Sequence, residues 1–128
     1  MFVDELRFDD QGLIPAVICD HETSEVLMVG YMNEQAVLAT VESGRATFYS
    51  RSRGKMWVKG ESSGHVQDVR WIRTDCDADT LLVGVEQTGG ACHEGYRSCF
   101  FRELRDGQWQ VVADRCFNPE TVYPEKTE

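Results

Sequence analysis

The pattern that most constrains the fold is a series of short, β-branched apolar segments separated by polar turns. Four of these segments read LIPAVICD, EVLMVGYM, VQDVRWIRT and TLLVGVEQ, and their length and composition are typical of β-strands. Nearer the end of the chain, Asp106-Gly107 separates two more strand-like segments and is the strongest short signal for a β-hairpin. The chain is therefore predicted to fold mainly as antiparallel sheet.

One stretch, NEQAVLATVESG, has a helical pattern instead. Asn33 can cap its N-terminus and Gly44 can end it. Val37, Leu38 and Val41 would form the apolar stripe that faces the core. Because 128 residues suffice for one ordinary hydrophobic core, we predict a single α+β domain, residues 1–128, with one clear helix.

Composition indicates a soluble globular protein, since apolar residues make up 41% of the chain and charged residues 27%. No apolar run approaches the roughly 20 residues that cross a bilayer, so no membrane association is expected. The N-terminal MFVDELRFDD is acidic and lacks the pattern of a signal peptide. We therefore expect a cytoplasmic protein whose five cysteines are reduced or bind metal.

The distribution of charge is more informative than the net charge of −9, which itself disfavours non-specific nucleic-acid binding. The segment from Arg45 to Arg73 carries a net charge of +5, and the rest of the chain is strongly acidic. A basic segment of this kind suits a small ligand with several negative charges. A solvated sheet face bearing long cationic side chains explains the charge equally well.

The segment TDCDADT places carboxylates at Asp75, Asp77 and Asp79. Strand alternation would put all three on one face, and a turn would also bring them together. A hard divalent cation such as Mg²⁺ or Ca²⁺ would offset their repulsion. An EF-hand is excluded, because Thr80 stands where its loop needs glycine and the flanks are strand-like. An exposed polar turn without a metal remains an alternative.

Thiols offer a second, softer set of metal ligands. Cys76, Cys92 and Cys99 could bind Zn²⁺ and leave a fourth position for water, whose pKa would fall to roughly 7. Their spacing is not that of a Cys-x-x-Cys pair, so the pattern alone is weak. Free cysteines also pack as small buried side chains, which is the prediction for Cys19. For Cys116 the sequence favours no role.

Three segments together carry a family resemblance. KGESSGHVQDV, TDCDADTLLVGVEQTGGACH and GYRSCF resemble phosphoribosyl-AMP cyclohydrolase, an enzyme of histidine biosynthesis, and the likeness extends over about residues 10–105. Glu94 departs from the threonine expected after Ala-Cys-His, at a position that is not an expected ligand. Because no pyrophosphate-hydrolysing domain follows residue 128, we expect the monofunctional form.

The resemblance implies that water adds at C6 of the adenine ring of phosphoribosyl-AMP and that the C6–N1 bond opens. The product would be the formimino imidazole carboxamide ribonucleotide. It also implies an intertwined homodimer that shares its zinc site between subunits, with one zinc and one magnesium ion per subunit. The implied zinc ligands are Cys76, Cys92 and Cys99, and the implied magnesium ligands are Asp75, Asp77 and Asp79.

Proton transfer in such a reaction needs a group that titrates near neutral pH, and histidine is the usual one. His93 adjoins an implied zinc ligand and is our first candidate for the acid/base, with His65 in SSGHV second. Without the resemblance, each would be read as a structural, hydrogen-bonding histidine. His21 lies in a polar turn and is expected to be solvated.

The two phosphates of this substrate need cationic side chains, hydroxyl groups or backbone N–H groups. Trp57 or Tyr49 could stack on a base, although packing in the core or on the sheet explains each of them better. The candidates for phosphate binding are Arg51, Arg53, Lys55, Lys59, Ser62, Ser63 and Gly64.

Three other functions compete with this interpretation. A zinc nucleobase deaminase is disfavoured because its His-x-Glu and Pro-Cys-x-x-Cys signature is absent. A non-enzymatic zinc module would use a closed fourth ligand, and His93 could supply it. A carboxylate-based cation buffer is disfavoured because the acidic trio is isolated.

Overall fold

Strands dominate the structure, a computed structural model that describes residues 1–122. A 3₁₀ turn at Phe2–Glu5 precedes the regular elements. The strands and helices are β1 (Ile14–Asp20), β2 (Val26–Met32), α1 (Glu34–Ser43), β3 (Thr47–Ser50), β4 (Lys55–Val58), β5 (Gln67–Thr74), β6 (Leu81–Gln87), β7 (Arg102–Arg105), β8 (Gln108–Val111) and α2 (Pro119–Val122).

The main sheet has four strands in the order β2-β1-β6-β5. The β1–β2 and β5–β6 pairs are antiparallel, whereas β1 and β6 run parallel. Two antiparallel pairs, β3–β4 and β7–β8, lie outside this sheet. Within residues 1–122 this arrangement confirms a small, mainly antiparallel α+β domain with one clear helix.

Helix α1 begins and ends where its sequence predicts. The Ala36 N–H donates to Asn33 Oδ1 at 2.8 Å, and Gly44 adopts a φ of 74° at the other end. The predicted apolar stripe is wrong in one member, because Val41 is 48% exposed and the buried face instead holds Ala36, Val37 and Thr40. Thr40 is tolerated there because its hydroxyl donates to the Ala36 carbonyl at 2.8 Å.

The core lies between the main sheet, α1 and the β3–β4 pair. Cys19 is buried, as predicted, and burial raises the pKa of its thiol. His21 is half-buried rather than fully solvated. The largest fully buried side chains include Phe48, Ile14, Ile18, Leu27, Met32 and Val83.

The β7–β8 hairpin confirms the prediction made from Asp106-Gly107. Asp106 has a φ of 52° and Gly107 a φ of 74°, as a two-residue hairpin turn with two left-handed positions requires. Apolar side chains on the hairpin remain exposed in the single chain, including Trp109 at 67% and Leu104 at 58%. Among residues 1–122, no helix is both long and apolar enough to span a membrane.

Candidate active site

The acidic trio lies in a tight turn between β5 and β6, so the turn alternative applies rather than a continued strand. The Asp79 N–H donates to Asp75 Oδ1 at 3.1 Å, and the Asp75 N–H donates to the Thr80 carbonyl at 3.2 Å. Ala78 adopts a φ of 60°, which curls the turn back on itself. One carboxylate oxygen from each of Asp75, Asp77 and Asp79 therefore lies within 4.8 Å of the others.

The pKa values of two of these carboxyl groups, Asp75 and Asp79, are shifted in opposite directions. Hydrogen bonding to Asp77 and Asp75 raises the pKa of Asp79. Desolvation raises the pKa of Asp75, but the hydrogen bonds that Asp75 accepts, led by the one from the Asp79 N–H, outweigh desolvation. The pKa of Asp75 therefore lies below its usual range. Three converging carboxylate oxygens are hard donors of the kind that Mg²⁺ prefers, so this turn could hold a divalent cation.

Cys92 and Cys99 come together in the loop that follows β6. Cys92 is buried and Cys99 is exposed. A hydrogen bond between the two thiols lowers the pKa of Cys92 to about 6, and the same bond raises the pKa of Cys99. At neutral pH the pair therefore holds one thiolate, the form that binds metal.

Cys76 lies apart from that pair in the single chain. It follows Asp75 in the acidic turn and lines a groove of about 540 Å³, together with apolar residues of the 3₁₀ turn and α1. Within residues 1–122, the acidic trio is the only group of three or more potential metal-ligating side chains that converge. A single chain thus brings together two of the three thiols that were predicted to bind zinc, Cys92 and Cys99.

Segment 97–99 is bound to the β1–β2 hairpin by hydrogen bonds and ion pairs. The sequence did not predict this contact. Arg97 donates to Asp20 at 2.5 Å and to Glu25 at 2.9 Å. The Ser98 hydroxyl and the Cys99 N–H each donate to a β2 backbone carbonyl at 2.7 Å. These bonds fix the position of the Cys99 thiol relative to the main sheet.

Replacing Asp20 with alanine is expected to destabilise the fold by about 1–3 kcal/mol at pH 7, because two backbone N–H groups lose their acceptor and Arg97 loses one of its two carboxylate partners. Hydrogen bonds from the Thr23 and Glu22 N–H groups, and then the charge of Arg97, lower the pKa of Asp20. A carboxyl group whose pKa is lower when folded stabilises the protein above its unfolded pKa of about 3.9 and loses that effect as the pH falls through its folded pKa.

Urea denaturation of wild type and Asp20→Ala at pH 7 and pH 3 measures this effect. The difference in free energy of unfolding between wild type and Asp20→Ala should be smaller at pH 3 than at pH 7. Glu22→Ala, in the same exposed turn, is the control and should change stability little. An Asp20→Ala difference that is equal at the two pH values would contradict the argument.

The two histidines predicted to transfer protons, His93 and His65, lie in different environments. His93 is exposed and directly follows Cys92. His65 packs its ring edge-on against Phe117, with 4.6 Å between ring centroids, and lies so close to Gly89 that a Cβ there would be 2.7 Å from the ring. The buried Nδ1 atom of His65 has no hydrogen-bond partner among the described residues. His65 therefore lies against the segment that leads into Cys92.

A groove of about 550 Å³ lies over β2, β3 and β4. The Phe48 ring packs directly on Gly30, where a Cβ would come within 2.5 Å, and stacks near Trp57 with 5.1 Å between centroids. The Arg51 guanidinium lies over the Tyr31 ring at 4.1 Å. Tyr31 was not nominated by the sequence, since nothing in the chain indicated that β2 would meet the basic segment.

The other nominated phosphate-binding residues are placed differently from one another. Arg53, Lys55 and Ser62 are exposed, whereas Lys59 is only 4% exposed. The Ser63 hydroxyl accepts from the His65 N–H at 3.1 Å, and the Gly64 N–H donates to the Gly60 carbonyl at 2.8 Å. The hydrogen bonds of Ser63 and Gly64 thus stabilise the loop that carries His65.

Comparison with known proteins converges on one family. The family model described as phosphoribosyl-AMP cyclohydrolase matches residues 28–101, which include the acidic turn, the thiol pair and the groove. A phosphoribosyl-AMP cyclohydrolase of Chlorobaculum parvum is 51% identical over 127 residues, covering 98% of this chain and 93% of the relative. One from Haloquadratum walsbyi is 56% identical over 119 residues, covering 93% and 88%.

Proposed function

The chain belongs to the phosphoribosyl-AMP cyclohydrolase family, enzymes of histidine biosynthesis, and from that premise we propose that it opens the adenine ring of phosphoribosyl-AMP by hydrolysis. In this reaction the oxygen of water adds to C6 and the C6–N1 bond breaks. The amino group stays on C6, which becomes a carboxamide carbon. N1 takes up a proton and remains in the formimino bridge.

The pair of Cys92 and Cys99 carries this proposal. Two thiols that share one proton at neutral pH are suited to Zn²⁺, and Cys76 is the third thiol that the family resemblance assigns to it. When bound, zinc lowers the pKa of a coordinated water to about 7 and so supplies the nucleophile. The thiol pair would hold the metal beside His93. The ion pairs of Arg97 with Asp20 and Glu25 would stabilise the loop that carries both thiols.

We place the third zinc ligand on a second copy of the chain. Cys76 does not converge with Cys92 and Cys99 within the described residues of one chain. The apolar groove next to Cys76 and the exposed Trp109 hairpin are surfaces that a homodimer would cover. Each site would then combine Cys92 and Cys99 of one subunit with Cys76 of the other.

The acidic turn would hold Mg²⁺ through Asp75, Asp77 and Asp79, whose oxygens already converge. The groove beside β3 and β4 would hold the anionic nucleotide. Arg51, stacked over Tyr31, offers a guanidinium with donors for a phosphate, and the exposed Arg53 and Lys55 add positive charge at the same end. The aromatic lining could contact the purine.

Proton movement is assigned to His93 first. Its imidazole would take a proton from the attacking water and deliver one to N1. His93→Ala is therefore expected to lower turnover by about 10²–10⁴-fold while zinc stays bound. Elemental analysis and steady-state kinetics of the same preparation measure both quantities. Loss of zinc from the variant would make His93 a ligand instead, and unchanged turnover would transfer the role to His65.

The direct test incubates the purified protein with phosphoribosyl-AMP and follows ring opening by ultraviolet absorbance. We expect activity that a chelator removes and added Zn²⁺ and Mg²⁺ restore, with no release of ammonia. Ammonia release would instead indicate a deaminase, because the exocyclic amine leaves in that reaction. Zinc binding with neither product would indicate a non-enzymatic zinc module.

A further inference from the structure

Residues 115–117, which we call the C-terminal segment, pack along the loop that follows β6. The segment lies outside residues 28–101, the part of the chain that the family model matches. Tyr96 and Arg115 pair as an isolated antiparallel bridge. The Arg115 Nε–H donates to the Glu94 carbonyl at 2.8 Å, and Arg115 Cζ lies 5.4 Å from the centroid of the Tyr96 ring. Arg115 therefore contacts this loop through its backbone and its side chain.

A further backbone contact brings the segment and the loop close together. The Cys116 N–H donates to the Gly95 carbonyl at 2.7 Å. Gly95 is buried and adopts a φ of 101°, and a Cβ at this position would lie 2.5 Å from the Phe117 carbonyl oxygen. Glycine is the residue that combines a positive φ with so close an approach of another backbone. The C-terminal segment thus packs directly on the loop at Gly95.

The part of the loop that the segment contacts is the turn from Cys92 to Tyr96. The Gly95 N–H donates to the Cys92 carbonyl, and the Cys92 N–H donates to the Tyr96 carbonyl, each at 3.1 Å. The carbonyl that accepts from Arg115 lies within this turn, directly after His93. The hydrogen bonds from the C-terminal segment therefore stabilise the backbone that sets the direction of the Cys92 thiol.

We propose that Arg115 is a positioning residue for the zinc site, because its hydrogen bond to the Glu94 carbonyl holds the turn in the shape that presents the Cys92 thiol to the metal. Groups outside the metal ligands commonly act in this way, by orienting the ligands. Arg115 is itself exposed and acts through the backbone of the turn. The inference rests on the zinc ligation proposed above.

The test compares Arg115→Met with Arg115→Lys and with Arg70→Met as a matched control. Methionine keeps an unbranched side chain but has no N–H donor, whereas lysine keeps a donor and the positive charge. Arg70 is also exposed, and it pairs with Glu86 on the neighbouring strand of the main sheet. The affinity of the reduced full-length protein for Zn²⁺ is measured by competition with a chromogenic chelator, and the free energy of unfolding of the metal-free protein is measured in urea.

Arg115→Met is expected to weaken the affinity for Zn²⁺ by about tenfold or more. Arg115→Lys should recover most of that loss, and Arg70→Met should bind Zn²⁺ as wild type does. A role in general stability alone would lower the free energy of unfolding and leave the zinc affinity of the folded protein unchanged. The two measurements therefore separate positioning of the turn from stabilisation of the fold.

Wild-type zinc affinity in Arg115→Met would overturn the inference. An equal loss in Arg115→Lys or in Arg70→Met would also overturn it, because the hydrogen bond at this position would then not be the cause. If Arg115→Met does not fold, Arg115→Ala decides by the same measurement, since it also lacks the donor. Failure of the wild-type protein itself to bind zinc would refute the proposed zinc site, and that result is distinguishable from a loss confined to Arg115.

Discussion

Replacing Cys92 with serine is expected to abolish stoichiometric zinc binding and to lower kcat/KM by about 10³-fold or more. A hydroxyl group does not provide the thiolate that Cys92 offers at neutral pH, where its pKa is about 6. Loss of the metal would remove several kcal/mol of transition-state stabilisation, and each 1.36 kcal/mol corresponds to about a tenfold change in rate. Elemental analysis and initial rates with phosphoribosyl-AMP measure the two effects.

Cys116→Ser is the matched control. Cys116 is exposed and its backbone N–H donates to the Gly95 carbonyl at 2.7 Å, so the substitution preserves that contact. The control should keep both zinc and activity. Retention of zinc and activity in Cys92→Ser would instead mean that Cys92 only packs against its neighbours. The proposed reaction would then not depend on a metal bound by this thiol pair.

Mixing two inactive variants tests whether the zinc site is shared between subunits. If Cys76 comes from the second subunit, a hybrid of Cys76→Ser and Cys92→Ser has one intact site and one doubly damaged site. An equal, freely exchanging mixture should then recover about a quarter of wild-type activity, because half of the dimers are hybrids. No recovery after verified subunit exchange would place all three thiols within one chain.

Local signals in the sequence predicted the elements of this fold well. Asn33 and Gly44 mark the ends of α1 because capping depends on a few neighbouring backbone groups. Asp106-Gly107 predicts its hairpin for the same reason. The parallel pairing of β1 with β6 joins segments more than sixty residues apart, and no local pattern encodes that choice of neighbour.

The same distinction applies to the candidate site. The convergence of Asp75, Asp77 and Asp79 was predictable because alternate residues in a strand or a tight turn lie close together. The meeting of Cys92 with Cys99 depends instead on a loop that packs against β2, where the Cys99 N–H donates to the Leu27 carbonyl at 2.7 Å. The family resemblance named the cysteines, but the fold alone shows which two of them meet within a chain.

Asp77→Asn should raise the concentration of Mg²⁺ needed for half-maximal activity by about tenfold or more while leaving zinc content unchanged. The trio supplies three negatively charged ligands, and the affinity of such a site depends on the number of its charges. The amide keeps the size and one oxygen donor of the side chain, so the turn should persist. Titration of chelated enzyme with Mg²⁺ at saturating Zn²⁺ measures the shift, and zinc content is determined on the same samples.

Asp10→Asn provides a control for the general loss of one negative charge, because Asp10 is exposed and lies outside the trio. It should leave the Mg²⁺ requirement unchanged. Equal loss of both metals in Asp77→Asn would contradict separate sites, since the acidic turn and the thiol pair would then depend on one another. An unchanged Mg²⁺ requirement in that variant would leave the converging carboxylates as an exposed polar turn that does not bind the cation.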